Sequence, residues 1–221
     1  DGLADVIVSS INVNGDTGAS YVVFGKADNT AVSVANVAGG TGGFVINGVS
    51  SLDQSGWSVS GAGDVNGDGL ADLIVGDVEW NNSTGRSYVV FGKSTSTETW
   101  LSTIATGAGG FVINGSSREF NGNSVSSAGD VNGDGLADLI VGTRGNQSYV
   151  VFGKSAGFTP VELSAVATGA GGYKIQGEDG DGSAHVSNAG DVNGDGLSDV
   201  IIGASGADTF TGSSYVVFGK T

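Results

Sequence analysis

The oxygen-bearing side chains of this sequence fall at fixed intervals. One nine-residue run, Asp-Val-Asn-Gly-Asp-Gly-Leu-Ala-Asp, occupies 64–72 and recurs at 130–138. It recurs again at 191–199, with Ser198 in place of alanine, and the chain opens on its second half at Asp1 to Asp5. Oxygen donors stand at loop positions 1, 3, 5 and 9, with glycine at position 6. A hard cation takes about six to eight oxygen ligands, and a chain reversing around it can offer alternate side chains plus a carbonyl. Glycine permits the tight reversal. The spacing predicts calcium loops.

The first set is Asp64, Asn66, Asp68 and Asp72, with the main-chain carbonyl of Leu70. The second is Asp130, Asn132, Asp134 and Asp138, with the carbonyl of Leu136. The third is Asp191, Asn193, Asp195 and Asp199, with the carbonyl of Leu197. Asp1, Leu3 and Asp5 are the remnant of a fourth site, expected to be empty or completed by what precedes. Three carboxylates within one short loop repel one another without a cation. A polar turn that merely favours Asp, Asn and Gly is the plain alternative. Three full copies at one spacing argue against it. The loop differs from the helix–loop–helix calcium site, whose loop has about twelve residues and a closing Glu.

The elements that must hold these loops also repeat. Asp1, Asp68, Asp134 and Asp195 are equivalent, and each repeat reads as four short strands, A to D. Strand A is predicted at 56–61, 122–127 and 183–188, and strand B at 5–9, 72–76, 138–142 and 199–203. Strand C, Ser-Tyr-Val-Val-Phe-Gly, stands at 20–25, 87–92, 148–153 and 214–219; strand D is at 43–48, 110–115 and 172–177. Runs of β-branched and aromatic residues bounded by Gly, Asn and Ser support the strand assignment. Strands B and C are continuously apolar, as strands covered on both faces are. Four-stranded units sandwiched by neighbours describe an all-β propeller segment. The blades run 1–55 (lacking strand A), 56–121, 122–182 and 183–221 (lacking strand D). The C–D connections carry Val32, Val34 and Val37; Trp100, Leu101 and Ile104; Val161, Leu163 and Val166. They are expected to pack back on the blade with one helical turn. A–B loops and C–D connections should share one face. The variable B–C and D–A loops should share the other, where a glycan or surface protein would bind.

Composition narrows the function classes. The formal charge is −15, and eleven of the 23 acidic residues lie in the loops or the opening remnant. Nucleic acid is an unsuitable partner, because no basic stripe exists. Four of the eight basic residues are one repeated position, Lys26, Lys93, Lys154 and Lys220, expected to end strand C and oppose edge pairing. Disulfides are excluded by the lack of cysteine. No apolar run is long enough for membrane insertion. A string of calcium sites suits an extracellular or cell-surface setting.

The pairing of Ala-Gly-Asp-Val-Asn-Gly-Asp-Gly-Leu-Ala-Asp-Leu-Ile-Val-Gly with Ser-Tyr-Val-Val-Phe-Gly-Lys resembles the FG-GAP repeat. That repeat builds the integrin α-subunit propeller and many bacterial surface and secreted proteins. The resemblance covers essentially the whole chain and implies calcium at the positions above, with Asn at position 3 where integrins often have Asp. The family's Gly-Ala-Pro site falls on Gly76-Asp77-Val78, Gly142-Thr143-Arg144 and Gly203-Ala204-Ser205, without the proline. Family propellers usually have seven blades, so this chain is expected to be a segment of a larger bacterial protein. Other copies or flanking blades of that protein are the expected partners covering its end blades.

Catalytic readings are weaker. His185 is the single histidine, and a set with Asp179 or Asp181 lacks a nucleophile elbow or oxyanion loop. The run from Glu178 to Asp181 reads as a solvated loop. Trp80 either stacks a sugar or tucks against its own blade. The sequons at Asn81, Asn82, Asn114 and Asn146 carry little in a bacterial protein. The resulting expectation is a non-enzymatic, calcium-stabilised adhesion or matrix module. A self-assembling fibre or sheath and a polysaccharide-binding or -processing propeller are the alternatives.

Overall fold

The computed structural model describes residues 2–116, 119–178, 182, 184–207 and 211–221. Asp1, Asp179 and Asp181, singled out above, lie outside the described residues. The described residues form four sheets in sequence order. The first contains β1 (Val6–Ser10), β2 (Ala19–Val23) and β3 (Gly43–Asn47). The second contains β4 (Ser58–Gly63), β5 (Asp72–Asp77), β6 (Arg86–Val90) and β8 (Gly110–Asn114). The third contains β9 (Ser124–Gly129), β10 (Asp138–Gly142), β11 (Gln147–Val151) and β13 (Gly172–Gln176). The fourth contains β14 (Ala184–Gly190), β15 (Asp199–Ala204) and β16 (Ser213–Val217). Consecutive strands pair antiparallel throughout, so each sheet is an up-and-down, propeller-like blade. The A–B loops and C–D connections therefore lie at one end, and the B–C and D–A loops at the other.

Strand alternation explains why B and C are wholly apolar. In β10, Leu139, Ile140 and Val141 are all fully buried. Leu139 and Val141 pack toward the second blade, with Val65, Ile74, Val89 and Phe111. Ile140 points the other way, to Val186, Val200 and Ile202 of the fourth. Both faces of an internal blade are thus core.

The observed strands differ slightly from those read in the sequence. Strand A starts and ends later, and strand C starts one residue earlier and ends before its Phe-Gly. The later end of strand A is a bulge. Pairing slips where Gly63, Gly129 and Gly190 meet the first Asp of strand B, and those glycines have φ of 75°, 72° and 70°. A bulge there bends the strand into the loop that follows.

The C–D connections each contain the expected helical turn: Val34–Ala38, Leu101–Ile104 and Leu163–Val166. The turns bury Val37, Leu101, Ile104, Leu163 and Val166. They also reach further than expected. The two-residue strands β7 (Thr99–Trp100) and β12 (Val161–Glu162) pair in parallel with the outer strand of the preceding blade, β3 and β8. Asn114 Nδ2 donates to Glu162 Oε1 at 2.6 Å beside the second pairing. The second and third connections thus hook their blades to the one before.

Candidate metal centres

The bulge glycine delivers the first Asp of each loop, and main-chain bonds then fix the loop. Asp64 Oδ1 accepts from the N–H groups of Gly67 (2.7 Å) and Asp68 (3.1 Å), and Oδ2 accepts from Gly69 (2.8 Å). Asn66 Oδ1 accepts from the Asp68 N–H, and Asp68 Oδ1 from the Leu70 N–H. Asn66 Nδ2 donates to Asp68 Oδ2 at 3.0 Å. The loops at Asp130 and Asp191 repeat every one of these bonds.

The ninth residue does something the spacing did not reveal. Asp72 is fully buried, and its two oxygens accept from Val65 N–H (2.9 Å) and Gly92 N–H (2.8 Å). Asp138 does the same with Val131 and Gly153, and Asp199 with Val192 and Gly219. Asp5 likewise accepts from Gly25 N–H at 2.9 Å. The position-9 carboxylate therefore ties the loop to strand C of its own blade. The glycine of the repeated Phe-Gly is obligatory there. A Cβ on Gly92 would stand 2.5 Å from the Ala71 carbonyl oxygen, and Gly25, Gly153 and Gly219 are equally confined.

Neighbouring loops are also tied to one another. Ala137 N–H donates to Asp64 O and Ser198 N–H to Asp130 O, both at 2.9 Å. Lys154 N–H donates to Val65 O at 2.9 Å, and Lys220 N–H to Val131 O at 2.8 Å. The repeated lysines continue this link with their side chains. Lys93, Lys154 and Lys220 lie over the rings of Phe44, Phe111 and Tyr173 of the preceding blade, 4.1, 4.5 and 5.2 Å from the centroids. They join blades rather than merely ending a strand.

The donor chemistry fits a hard cation. The sequence of each loop offers Asp and Asn oxygens and main-chain carbonyls, the donor types such an ion takes. Burial pushes the Asp72 carboxyl up to about 6, and the charges of Asp68 and Asp64 add to the rise against the two N–H donors. Burial likewise pushes Asp138 up to about 6, reinforced by Asp134 and Asp130. The neighbouring loop carboxylates thus add to the cost of ionising Asp72 and Asp138. Among the described residues, no group of three or more acidic, His or Cys side chains is gathered to hold a metal by itself. Asn and main-chain oxygens would be needed.

The opposite end is built differently. Asp77, at the end of β5, is fully buried, and neither carboxylate oxygen has a hydrogen-bond partner of normal geometry. Burial pushes its carboxyl up to about 8, Asp53 adds to the rise, and Arg86 and the Trp80 N–H offset part of it. Trp80 is half-buried, with the Arg86 guanidinium 3.7 Å above its ring, so it tucks against its own blade. It enters a left-handed turn, Asn81 to Ser83, with φ of 51°, 57° and 64°. Arg144 lies over both Trp57 and Phe120. His185 is exposed on β14.

Comparison with known proteins places these loops in context. Residues 64–141 match the FG-GAP-like repeat, and residues 186–217 match the FG-GAP repeat. The chain is similar to integrin alpha-2 of Mus musculus, with 30% identity over 118 residues. That match covers 49% of this chain and 10% of the mouse protein, so the chain spans only a small part of that relative.

Proposed function

The chain is an FG-GAP, integrin-α-like repeat protein, and on that premise we propose that it is a calcium-stabilised adhesion module of an extracellular or cell-surface protein. The observation that carries this reading is the identity of the three complete loops. Each repeats the same side-chain-to-main-chain bonds around three carboxylates. Asp64, Asn66, Asp68, the Leu70 carbonyl and Asp72 would hold the first ion, and the sets at Asp130 and Asp191 the other two. A bound dication supplies positive charge that offsets carboxylate repulsion. The chain's own residues do the rest: Asp72 keeps strand C against the loop, and the Ala137 and Lys154 N–H groups keep one loop against the next. A locked loop end would hold the blades in register, while the B–C and D–A loops at the other end present Trp57, Arg144 and Phe120 to a glycan or protein partner. The role is presentation rather than catalysis.

Isothermal titration of chelator-treated protein with calcium tests this. The reading expects three sites per chain. Removal of the Asp134 carboxylate by Asp134→Ala should reduce that number to two. No heat of binding at millimolar calcium would overturn it.

A further inference from the structure

Three side chains at the variable end of the seam between the second and third blades are not demanded by the repeat. Trp57 precedes β4, Phe120 precedes β9, and Arg144 follows β10. Ser58, Ser124 and His185 pair with Gly76, Gly142 and Gly203, which sets the register between blades. In that register Trp57 stands where the next two blades have Asn123 and Ala184, and Arg144 where the others have Val78 and Ser205. Phe120 stands where the preceding D–A loop has Gln54. The second and third blades each pack against a neighbour on both faces, so exposure at this seam belongs to the array itself.

The seam is costly to keep. Phe120 has a φ of 54°, a left-handed backbone that a bulky side chain rarely adopts. Gln54 has a φ of 57°, so the loop imposes the conformation without requiring an aromatic ring. Strain retained in this way marks functional positions. Trp57 is left 39% exposed. The Arg144 guanidinium lies 4.3 Å from the Phe120 ring centroid and 5.0 Å from that of Trp57. Its Nε donates to Asn123 Oδ1 at 3.2 Å, and its main-chain N–H donates to Glu119 O at 2.8 Å. Two rings and an amide thus fix the guanidinium. Yet the one ion pair among the described residues is Lys26 with Asp28, so not even Glu119 neutralises Arg144. In a chain with 23 acidic residues and eight basic ones, a positioned guanidinium without a carboxylate partner is a place for an anion.

We propose that this seam binds an acidic polysaccharide, with a uronic acid carboxylate on the Arg144 guanidinium and the sugar ring against Trp57. The inference rests on the reading of the variable end as the presenting surface, and it supplies the ligand class. The planar guanidinium takes a carboxylate through two parallel hydrogen bonds. The flat face of Trp57 takes the apolar face of a sugar ring. An acidic peptide would bring the carboxylate without the ring, and a neutral glycan would bring the ring without a counter-ion for Arg144. The acidity of the metal loops does not oppose this binding. Strands of this length hold the two ends about 17–20 Å apart, roughly twice the Debye length of about 8 Å at physiological salt.

Fluorescence anisotropy of a labelled galacturonate hexamer, titrated with the 221-residue chain in calcium and in chelator, tests this. Saturable binding is expected, with maltohexaose and hexaglutamate competing at least about tenfold more weakly. Arg144→Gln should weaken binding at least about tenfold, and Arg144→Lys, which keeps the charge but not the fork, should lose most of the same affinity. Trp57→Ala, at an exposed position, should weaken it several-fold with an unchanged melting temperature. Lys26→Gln removes the same charge from the opposite end and should leave binding unchanged. No binding, equal competition by hexaglutamate, or an equal loss in Lys26→Gln and Arg144→Gln would overturn the proposal. Absent hexamer binding while calcium still titrates fails this inference alone, whereas hexamer binding without any heat of calcium binding fails only the calcium reading.

Discussion

The two ends of the second blade show opposite ways of burying an aspartate. At the loop end, Asp72 has both oxygens occupied by main-chain N–H groups, and the arrangement recurs at Asp138 and Asp199. At the variable end, Asp77 is equally buried but its oxygens lack such partners. Its counterparts in the other blades are Ser10, Thr143 and Ala204, which carry no charge. Tyr88 sits beside it with an unpartnered hydroxyl, whereas the equivalent Tyr149 donates to Gln147 Oε1 at 2.5 Å. A buried carboxylate is stabilising only where hydrogen bonds replace water. The repeated end is therefore a built joint, and Asp77 is a local cost tolerated by one blade.

Opposite responses to substitution would sharpen that contrast. Asp138→Ala should be the most damaging change. It strands two N–H groups, those of Val131 and Gly153, and should lower stability by about 3 kcal/mol or more even in chelator, as measured by urea unfolding. If the loss appeared only with calcium present, the joint would be metal chemistry alone. Asp77→Asn should have the opposite sign, adding about 2 kcal/mol at pH 8 by removing the cost of ionising a buried acid.

The pH dependence follows from the same group. Its carboxyl is raised from 3.8 to about 8, so between those values the folded chain holds a proton that the unfolded chain has released. Its contribution to stability is full below the lower value and is lost as pH rises toward the higher one. Melting temperatures from pH 5 to 8 should therefore fall more steeply for the parent chain than for Asp77→Asn. Identical slopes would show that burial and the charges of Asp53 and Arg86 do not set its ionisation as described.

Smaller effects test the links between blades. Lys154→Gln removes the cation from the Phe111 ring and should cost about 0.5–1 kcal/mol, read by thermal unfolding. Trp80→Ala should cost less than about 1 kcal/mol, because Arg86 keeps its bond to Asn114 Oδ1 at 2.8 Å. An equal or larger loss from Trp80→Ala would mean that the variable end contributes more to stability than the repeated links.

Much of this was legible in the sequence because repetition fixes register. The period of strand B and C identified the blades, and the continuous apolar runs identified strands covered on both faces. The three matching loops were legible by spacing alone. What was hidden were relations between segments distant in sequence, both within a repeat and between repeats. Nothing local in Phe-Gly-Lys says that its glycine amide bonds Asp72 or that its lysine lies over the preceding blade's ring. The hook of Val161 and Glu162 onto β8 was hidden for the same reason: two residues are too short for a strand pattern. These ties also mean that the loops are not independent, since Ala137 N–H and Asp64 O join two of them. Asp77 escaped notice because a single buried acid looks like any other loop-edge aspartate until its neighbours are placed.

The central claim is that calcium completes the loop end. The most direct measurement is thermal unfolding of the 221-residue chain in chelator and then in ~1 mM calcium, a level typical of extracellular modules. A ligand that binds only the folded state stabilises it by about 2.7 kcal/mol per site at a hundred times its dissociation constant. The account predicts a melting temperature that rises with calcium concentration, with one site's share of the rise lost in Asp134→Ala. Superimposable melting curves with and without calcium would contradict it.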